Sequence, residues 1–365
     1  MSAQHFLLYS DAIETAAPDE EETFAALSHV MQHITRTMAG RYRHAYRPVH
    51  AKSHGVIKAT LQVLPDLPPE LAQGLFAQPA SYETVLRLST NPGDLLADNV
   101  SSPRGLAVKV LGVKGERVPA SAGGSAQDFV CVNGDVFGAP GPKEFLKQLQ
   151  ALDKTLELPE EVKHAISATA RAVNETLRAV NVQVMALDQI GHPATHPLGE
   201  TYTTVAPLRY GSYVAKLAFA PGGERIKAVI GDKIDLSEGY NPLRDCIRSF
   251  FASGPAIWDV KVQLALDDRE HFPIEKADVR WPSDASPWVT VAHLTAHQQE
   301  SYSDARQVFV DERMNFRPWN ALAAHRPLGG IMRSRLRAYE EAQKFRAQRN
   351  VREIAEPETL AEIPD

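Results

Sequence analysis

The sequence predicts an α+β fold, a closed antiparallel β-barrel with surrounding helices. Three observations carry that expectation. Runs of period-two alternation recur along most of the chain, separated by Pro/Gly-rich turns. Longer stretches of helical period stand at the beginning, middle and end. No internal repeat or linker divides the 365 residues, so many short strands must share one core. We therefore expect one domain over 1–365. It comprises an N-terminal helix (1–45), a barrel with a helical insertion (46–320), a closing helix (321–350) and a loose tail (351–365).

The elements follow in order. Pro18, Asp19 and Glu20 to Glu22 mark a helix start, with proline in the first turn and acids at the positive dipole end. Phe24, Leu27, Met31, Ile34 and Met38 then fall on one face, and Gly40 ends the run. From His54 to Val63 the period becomes two, with Ile57, Ala59, Leu61 and Val63 on one side. Tyr82 to Ser89, Gly105 to Val113 and Phe129 to Val136 read as further strands. Pro159 to Leu187 reads as one long helix whose apolar stripe is Val162, Ile166, Val173, Leu177 and Val180. A second strand set follows at Thr201 to Val205, Tyr210 to Phe219, Trp258 to Leu266 and Trp288 to Leu294. Ala321 to Arg349 closes the chain as helix, broken at Pro327-Leu328-Gly329-Gly330. The acidic, Pro-containing end from Glu353 to Asp365 is expected to be loose.

Composition excludes several classes of function. A net charge of −6 with scattered basic residues gives no footprint for nucleic acid or an anionic membrane. Two cysteines, Cys131 and Cys246, build no disulfide framework, which suits a reducing compartment. The N-terminus lacks the basic and apolar regions of a signal peptide, and no run is apolar enough to span a bilayer, so a cytoplasmic protein is expected. No GxGxxG or GxxxxGK[ST] supports nucleotide binding. The HxxxH spacings at His29/His33, His192/His196 and His293/His297 lack the further ligands a zinc site needs.

Two segments carry the chemistry. In a helix, Arg335 and Tyr339 at i and i+4 share one face, so an always-charged guanidinium lies near a phenol and favours its anion. A tyrosinate is a hard ligand suited to ferric iron. Otherwise Tyr339 is half-buried helix packing. At the other end, Arg47-Pro48-Val49-His50-Ala51-Lys52 offers an acid-base histidine; the bland alternative is a structural histidine at a strand entrance, the role expected of His54.

The Arg47 to Lys52 segment resembles the RxVHAKG distal motif of the haem catalase superfamily, and Arg335 to Tyr339 resembles its RxxxY proximal signature. Val85-Leu86-Arg87-Leu88-Ser89-Thr90 is similar to VRFST, Ser102-Pro103-Arg104-Gly105-Leu106-Ala107-Val108-Lys109 to DPRGFAVK, and Val132-Asn133-Gly134-Asp135-Val136-Phe137 to NxPVFF. The resemblance spans roughly Arg47 to Arg346. It departs at Asp135, where the family has proline, and at Gly138, which replaces its second phenylalanine.

The resemblance implies a catalase-like barrel of the short, catalase-related peroxidase type, without an extra C-terminal domain. It implies haem b (iron protoporphyrin IX) with Tyr339 as axial iron ligand. His50 would be the distal acid-base and Asn133 the hydrogen bond that orients peroxide, with Gln127 as the alternative donor. Arg47, Arg87 and Arg346 would pair with the propionates. Val49 would sit beside the distal histidine, Arg335 beside the tyrosine, and Phe145 would stack on the porphyrin or belong to the core. Arg333 and Arg337 are expected to face solvent. The implied activity is a haem peroxidase with weak catalase activity, reducing hydrogen peroxide, and organic hydroperoxides as a further substrate, through a ferryl intermediate with small organic donors. A monomer or homodimer is expected. Two alternatives stay open. One is a fatty-acid hydroperoxide lyase or isomerase of allene oxide synthase type, against which Val49 stands where those enzymes carry threonine. The other is a non-enzymatic haem carrier or sensor.

Overall fold

The computed structural model describes residues 5–179, 190–237 and 239–365. Helix α1 (Glu20–Tyr42) starts on its three acidic residues. Strands β1 (Ser53–Val63), β2 (Ser81–Thr90), β3 (Arg104–Val110) and β4 (Gln127–Asn133) follow, then helices α2 (Pro142–Lys154) and α3 (Glu160–Ala179). The second half brings β5 (Tyr202–Thr203), β6 (Leu208–Tyr210), β7 (Tyr213–Pro221), the short α4 (Glu224–Lys227) and α5 (Pro242–Ala252). Then come β8 (Ala256–Leu264), β9 (Val289–Ala296), α6 (Asp304–Arg313) and α7 (Gly330–Asn350).

The strands run in the order β5-β4-β3-β2-β1-β9-β8-β7, and β7 pairs back with β5, closing an eight-stranded antiparallel barrel on which β6 is an extra edge. Closure removes the exposed strand edges that an open sheet would leave. Alternation decides what lies inside. Ile57, Leu61, Leu106, Phe129, Phe219 and Trp258 point inward and are at most 2 % exposed. The outer face of β1 to β4 is covered by helices, so it is not simply polar. The register sets Arg87 against Ala107 and Ser89 against Gly105, two rows on that covered face. Over these rows lie α1, α2 and α7, joined through Leu27, Met31, Ile34, Met38, Leu149 and Ala338.

Three parts differ from the expectation. The described part of the middle helix, α3, ends at Ala179; Val180 and the rest of its expected length to Leu187 lie outside the described residues. Its apolar stripe faces outward, with Val162, Ile166 and Val173 each 42–49 % exposed, and Ser167, Ala170 and Asn174 are buried instead. The reason is backbone proximity: a Cβ at Gly191 would lie 2.4 Å from the Ala170 carbonyl carbon. Ser167 Oγ also accepts from Ser101 N at 2.6 Å, and Asn174 Nδ2 donates to Gly191 O at 2.9 Å. Only small or hydrogen-bonding side chains fit a contact that close.

The tail is docked rather than loose. Ile363 is 1 % exposed among Val56, Val85, Val310 and Met314, and Arg306 Nε donates to Pro364 O at 2.8 Å. Glu356 reaches the fully buried Lys109 at 2.9 Å, beside its Asp128 partner at 2.7 Å. Arg333, expected in solvent, is gripped by Glu14, Glu20 and Glu275, whereas Arg337 stays exposed on Glu341.

Candidate functional site

Between the outer face of β2 to β4 and helix α7 lies a cleft with about 690 Å³ of empty space, counted to its open mouth. Arg47, Val49, His50 and Arg87 line it from the barrel side, Tyr339 and Arg346 from α7. Six of the residues read from the sequence therefore meet in one place, although up to 299 positions separate them. Tyr339 and Arg346 share a helix face at seven residues' separation, two turns apart.

His50 enters this cleft under constraint. Its backbone sits at φ 56°, left-handed and costly for a β-carbon residue. The bond from His50 N to Asn91 O, 2.7 Å, holds it there. The ring rests on β2 and β3. Nδ1 is 3.1 Å from Ser89 Oγ, and Gly105 leaves the space a side chain would take: a Cβ there would fall 2.6 Å from His50 Cε1 and 2.7 Å from Nδ1. Burial, and then the charges of Arg87, Arg335 and Arg47, push the imidazole down to about 3. At neutral pH it is an uncharged base. Its Nε2 makes no hydrogen bond among the described residues. His54 sits apart, 2 % exposed with Nε2 on Thr90 Oγ1 at 3.2 Å, the structural role expected of it.

The arginine side of the cleft is unbalanced. Arg47 and Arg87 both bond the single carboxylate of Asp311, Arg87 through Nε at 3.2 Å. Arg346 has no carboxylate at all among the described residues. Its Nη2 donates to Met314 O at 3.1 Å and Asn315 Oδ1 at 2.6 Å, and its buried Nε has no partner. Burial and the neighbouring charge of Arg47 push Arg346 down to about 9, still a cation at neutral pH. Three guanidinia answered by one carboxylate leave a place for an anion, and the dicarboxylate edge of haem supplies two. The Tyr339 hydroxyl, on the α7 side of the cleft, has no hydrogen-bond partner among the described residues. The donor set fits haem: an oxygen ligand on one wall, an imidazole from the other, guanidinia for the propionates.

Four expected residues stand elsewhere. Asn133 is turned to a different cluster: its Oδ1 accepts from Arg104 N at 2.7 Å and its Nδ2 lies 3.0 Å from His192 Nε2, itself 3.1 Å from Glu200. The β4 residues at the cleft are Val130 and Cys131. Gln127 is buried, accepting from Leu322 N at 2.8 Å. Phe145 packs edge-on against Phe137, 5.1 Å between centroids, in the α1–α2–α7 cluster. Arg335 lies over the Phe137 ring at 5.3 Å and bonds Met332 Sδ at 3.9 Å, without a hydrogen bond to Tyr339. The sequence reading missed Ser89 and Gly105 as the seat of His50, and Asp311, Arg317 and Gln343 in the cleft or its support. Gln343, four residues after Tyr339, was legible from helix spacing; Asp311 was not. No group of three or more metal-ligating side chains occurs among the described residues.

No family model matches the chain, and no curated protein does. Solved structures do. A fungal catalase superposes with a TM-score of 0.60 at 15 % identity, over 96 % of this chain and 68 % of that one. A bacterial catalase gives 0.58 at 16 % identity over 96 % and 68 %, and catalase A from Saccharomyces cerevisiae 0.57 at 15 % over 94 % and 68 %. The fold is thus the catalase-like barrel with its helices. No helix among the described residues is long and apolar enough to cross a membrane.

Proposed function

We propose that the chain is a haem-dependent peroxidase with weak catalase activity, taking hydrogen peroxide, organic hydroperoxides and small organic donors. The observation that supports it is a neutral, rigidly seated imidazole in the same cleft as an unpartnered phenol and three guanidinia with one carboxylate between them. Tyr339 would hold the iron of haem b, and Arg47, Arg87 and Arg346 would hold the propionates. Bound there, the porphyrin supplies a Lewis-acidic metal and the electrons for O–O cleavage.

The protein's own part is proton movement. For Nε2 of His50 to be the base, Nδ1 must carry the hydrogen and donate it to Ser89 Oγ, the bond that fixes the ring's orientation. Nε2 then takes the peroxide proton and returns it to the outer oxygen, which leaves as water rather than hydroxide. General acid-base help of this kind is worth about 10²–10⁴-fold. The cleft's open mouth admits organic donors, which favours peroxidation over disproportionation of peroxide.

The test is stopped-flow spectroscopy of the haem-loaded protein with hydrogen peroxide, alongside oxygen evolution. A rapid Soret change is expected, slowed about 10²–10⁴-fold by His50→Ala. A loaded wild-type protein whose spectrum peroxide leaves unchanged refutes the reading.

A further inference from the structure

Beside the cleft, and separate from it, a surface groove runs between α5, α6 and the residues that follow His50. It consists of two adjoining cavities of about 1,100 and 750 Å³ of empty space, both open to solvent, that share Arg244 and Tyr302. Buried polar groups in native proteins nearly always have partners. Here Ser53 Oγ, Asn241 Oδ1, Arg244 Nε and Gln307 Oε1 have none, and Ser53 is only 2 % exposed.

The charges of the groove are distributed unevenly. Asp311 is taken by Arg47, Arg87 and Gln307, and Glu312 by His44 at 2.6 Å and Asn350 at 3.0 Å. Glu300 is taken by Arg248 at 2.9 Å, at the outer end that also carries Asp245 and Asp304. Arg244 has no carboxylate partner among the described residues. Its guanidinium lies 3.7 Å from the Tyr302 ring centroid, and one Nη2 reaches Ser53 O at 3.4 Å. Tyr46 forms another aromatic wall and Val308, 57 % exposed, an apolar lip.

We propose that this groove binds a small aromatic carboxylate, its anionic end on Arg244 and Ser53 and its ring between Tyr46 and Val308. A guanidinium fork, held in place on the Tyr302 ring, suits a carboxylate, and an aromatic wall with an apolar lip suits a flat ring. The groove shares a wall with the cleft: Arg87 Nη2 donates to Ala51 O at 3.1 Å, and Asp311 ties Arg47 to Arg87 from the groove side. Binding stands on the groove's own residues; service as the reducing co-substrate rests on the peroxidase reading.

The experiment is calorimetric titration of the full chain, with and without haem, using 4-hydroxybenzoate as the probe. Saturable binding is expected in both forms, weakened about tenfold or more by Arg244→Gln and unchanged by His50→Ala. Ser53→Val weakens it as well and decides the matter if melting curves show that Arg244→Gln does not fold. Absence of saturable binding overturns the proposal. So does binding that survives both groove variants, or that His50→Ala abolishes, since the probe would then sit in the cleft. A protein that binds the probe yet does not respond to peroxide keeps the site and loses the co-substrate role.

Discussion

Replacing Gly105 with alanine tests the seat of His50 directly. The backbone at Gly105 is ordinary strand, paired with Ser89 on one side and Val132 on the other, so alanine brings no conformational strain and the strand has no room to retreat. The new methyl would stand 2.6 Å from His50 Cε1 and 2.7 Å from Nδ1, where carbon contacts settle near ~3.5–4.0 Å. One partner must give by about 1 Å. It is the ring, because the His50 backbone is pinned at φ 56° by its 2.7 Å bond to Asn91 O. That shift breaks the 3.1 Å contact with Ser89 and with it the ring's fixed orientation. The stability cost is about 1–3 kcal/mol, as for other overpacked sites. The rate cost is about 10²-fold for a misplacement of this size. The assay is stopped-flow reaction of haem-loaded Gly105→Ala with hydrogen peroxide, with the resting spectrum as a check that haem is bound as in the wild type. A variant that loads haem normally and reacts at the wild-type rate refutes the argument that β3 positions the base.

Three further outcomes follow from the same electrostatics. With His50 as the proposed base, the peroxide rate should show no acid limb near 6.5 and should fall only well below it, because burial and the surrounding arginines depress the imidazole; a stopped-flow pH series with a limb at 6.5 contradicts this. His196 and His325 are pushed down to about 4, chiefly by burial, so each contributes stability in full above 6.5 that is lost as pH falls from 6.5 through about 4. Roughly 3 kcal/mol is at stake for each, and a melting temperature that does not fall between pH 6.5 and 4 contradicts it. Arg346→Met should weaken haem binding about tenfold or more while changing the haem-free melting temperature little, since removing a buried cation without a carboxylate offsets the lost bonds to Met314 O and Asn315 Oδ1. The opposite pattern in haem-transfer and melting assays counts against the propionate role.

Local rules carried much of the fold. The period-two run at β1 put Ile57, Ala59, Leu61 and Val63 inside the barrel as the alternation requires. Helix spacing put Tyr339 and Arg346 on one face, whereas the left-handed backbone that holds His50 had no local sign. What local rules could not carry was convergence over distance. Asp311 reaches Arg47 across 264 positions, and no pattern near either residue announces the pair. Gly105 reads as a strand glycine until the register places it under His50. Asn133 looked like a cleft donor by motif, yet its amide is spent on Arg104 and His192. The stripe on α3 misled because amphipathicity tells which face is apolar, not which face a neighbouring backbone approaches. The acidic tail misled by composition, since Ile363, Glu356 and the Arg306 bond to Pro364 O all dock it.

The charge imbalance ties the two halves of the cleft together. Arg87 and Arg47, the cations left underbalanced by Asp311, are also among those that depress His50. A dianion bound on Arg47, Arg87 and Arg346 would cancel part of that field and let the imidazole rise. Burial, the larger cause of the depression, would remain in the loaded protein. On the proposed reading, an anionic guest would do two things at once. It would relieve the mutual repulsion of buried guanidinia and so stabilise the loaded over the empty protein. It would also make His50 a stronger base, as proton transfer from peroxide would require. A neutral porphyrin with its propionates esterified would fill the same space and deliver neither effect.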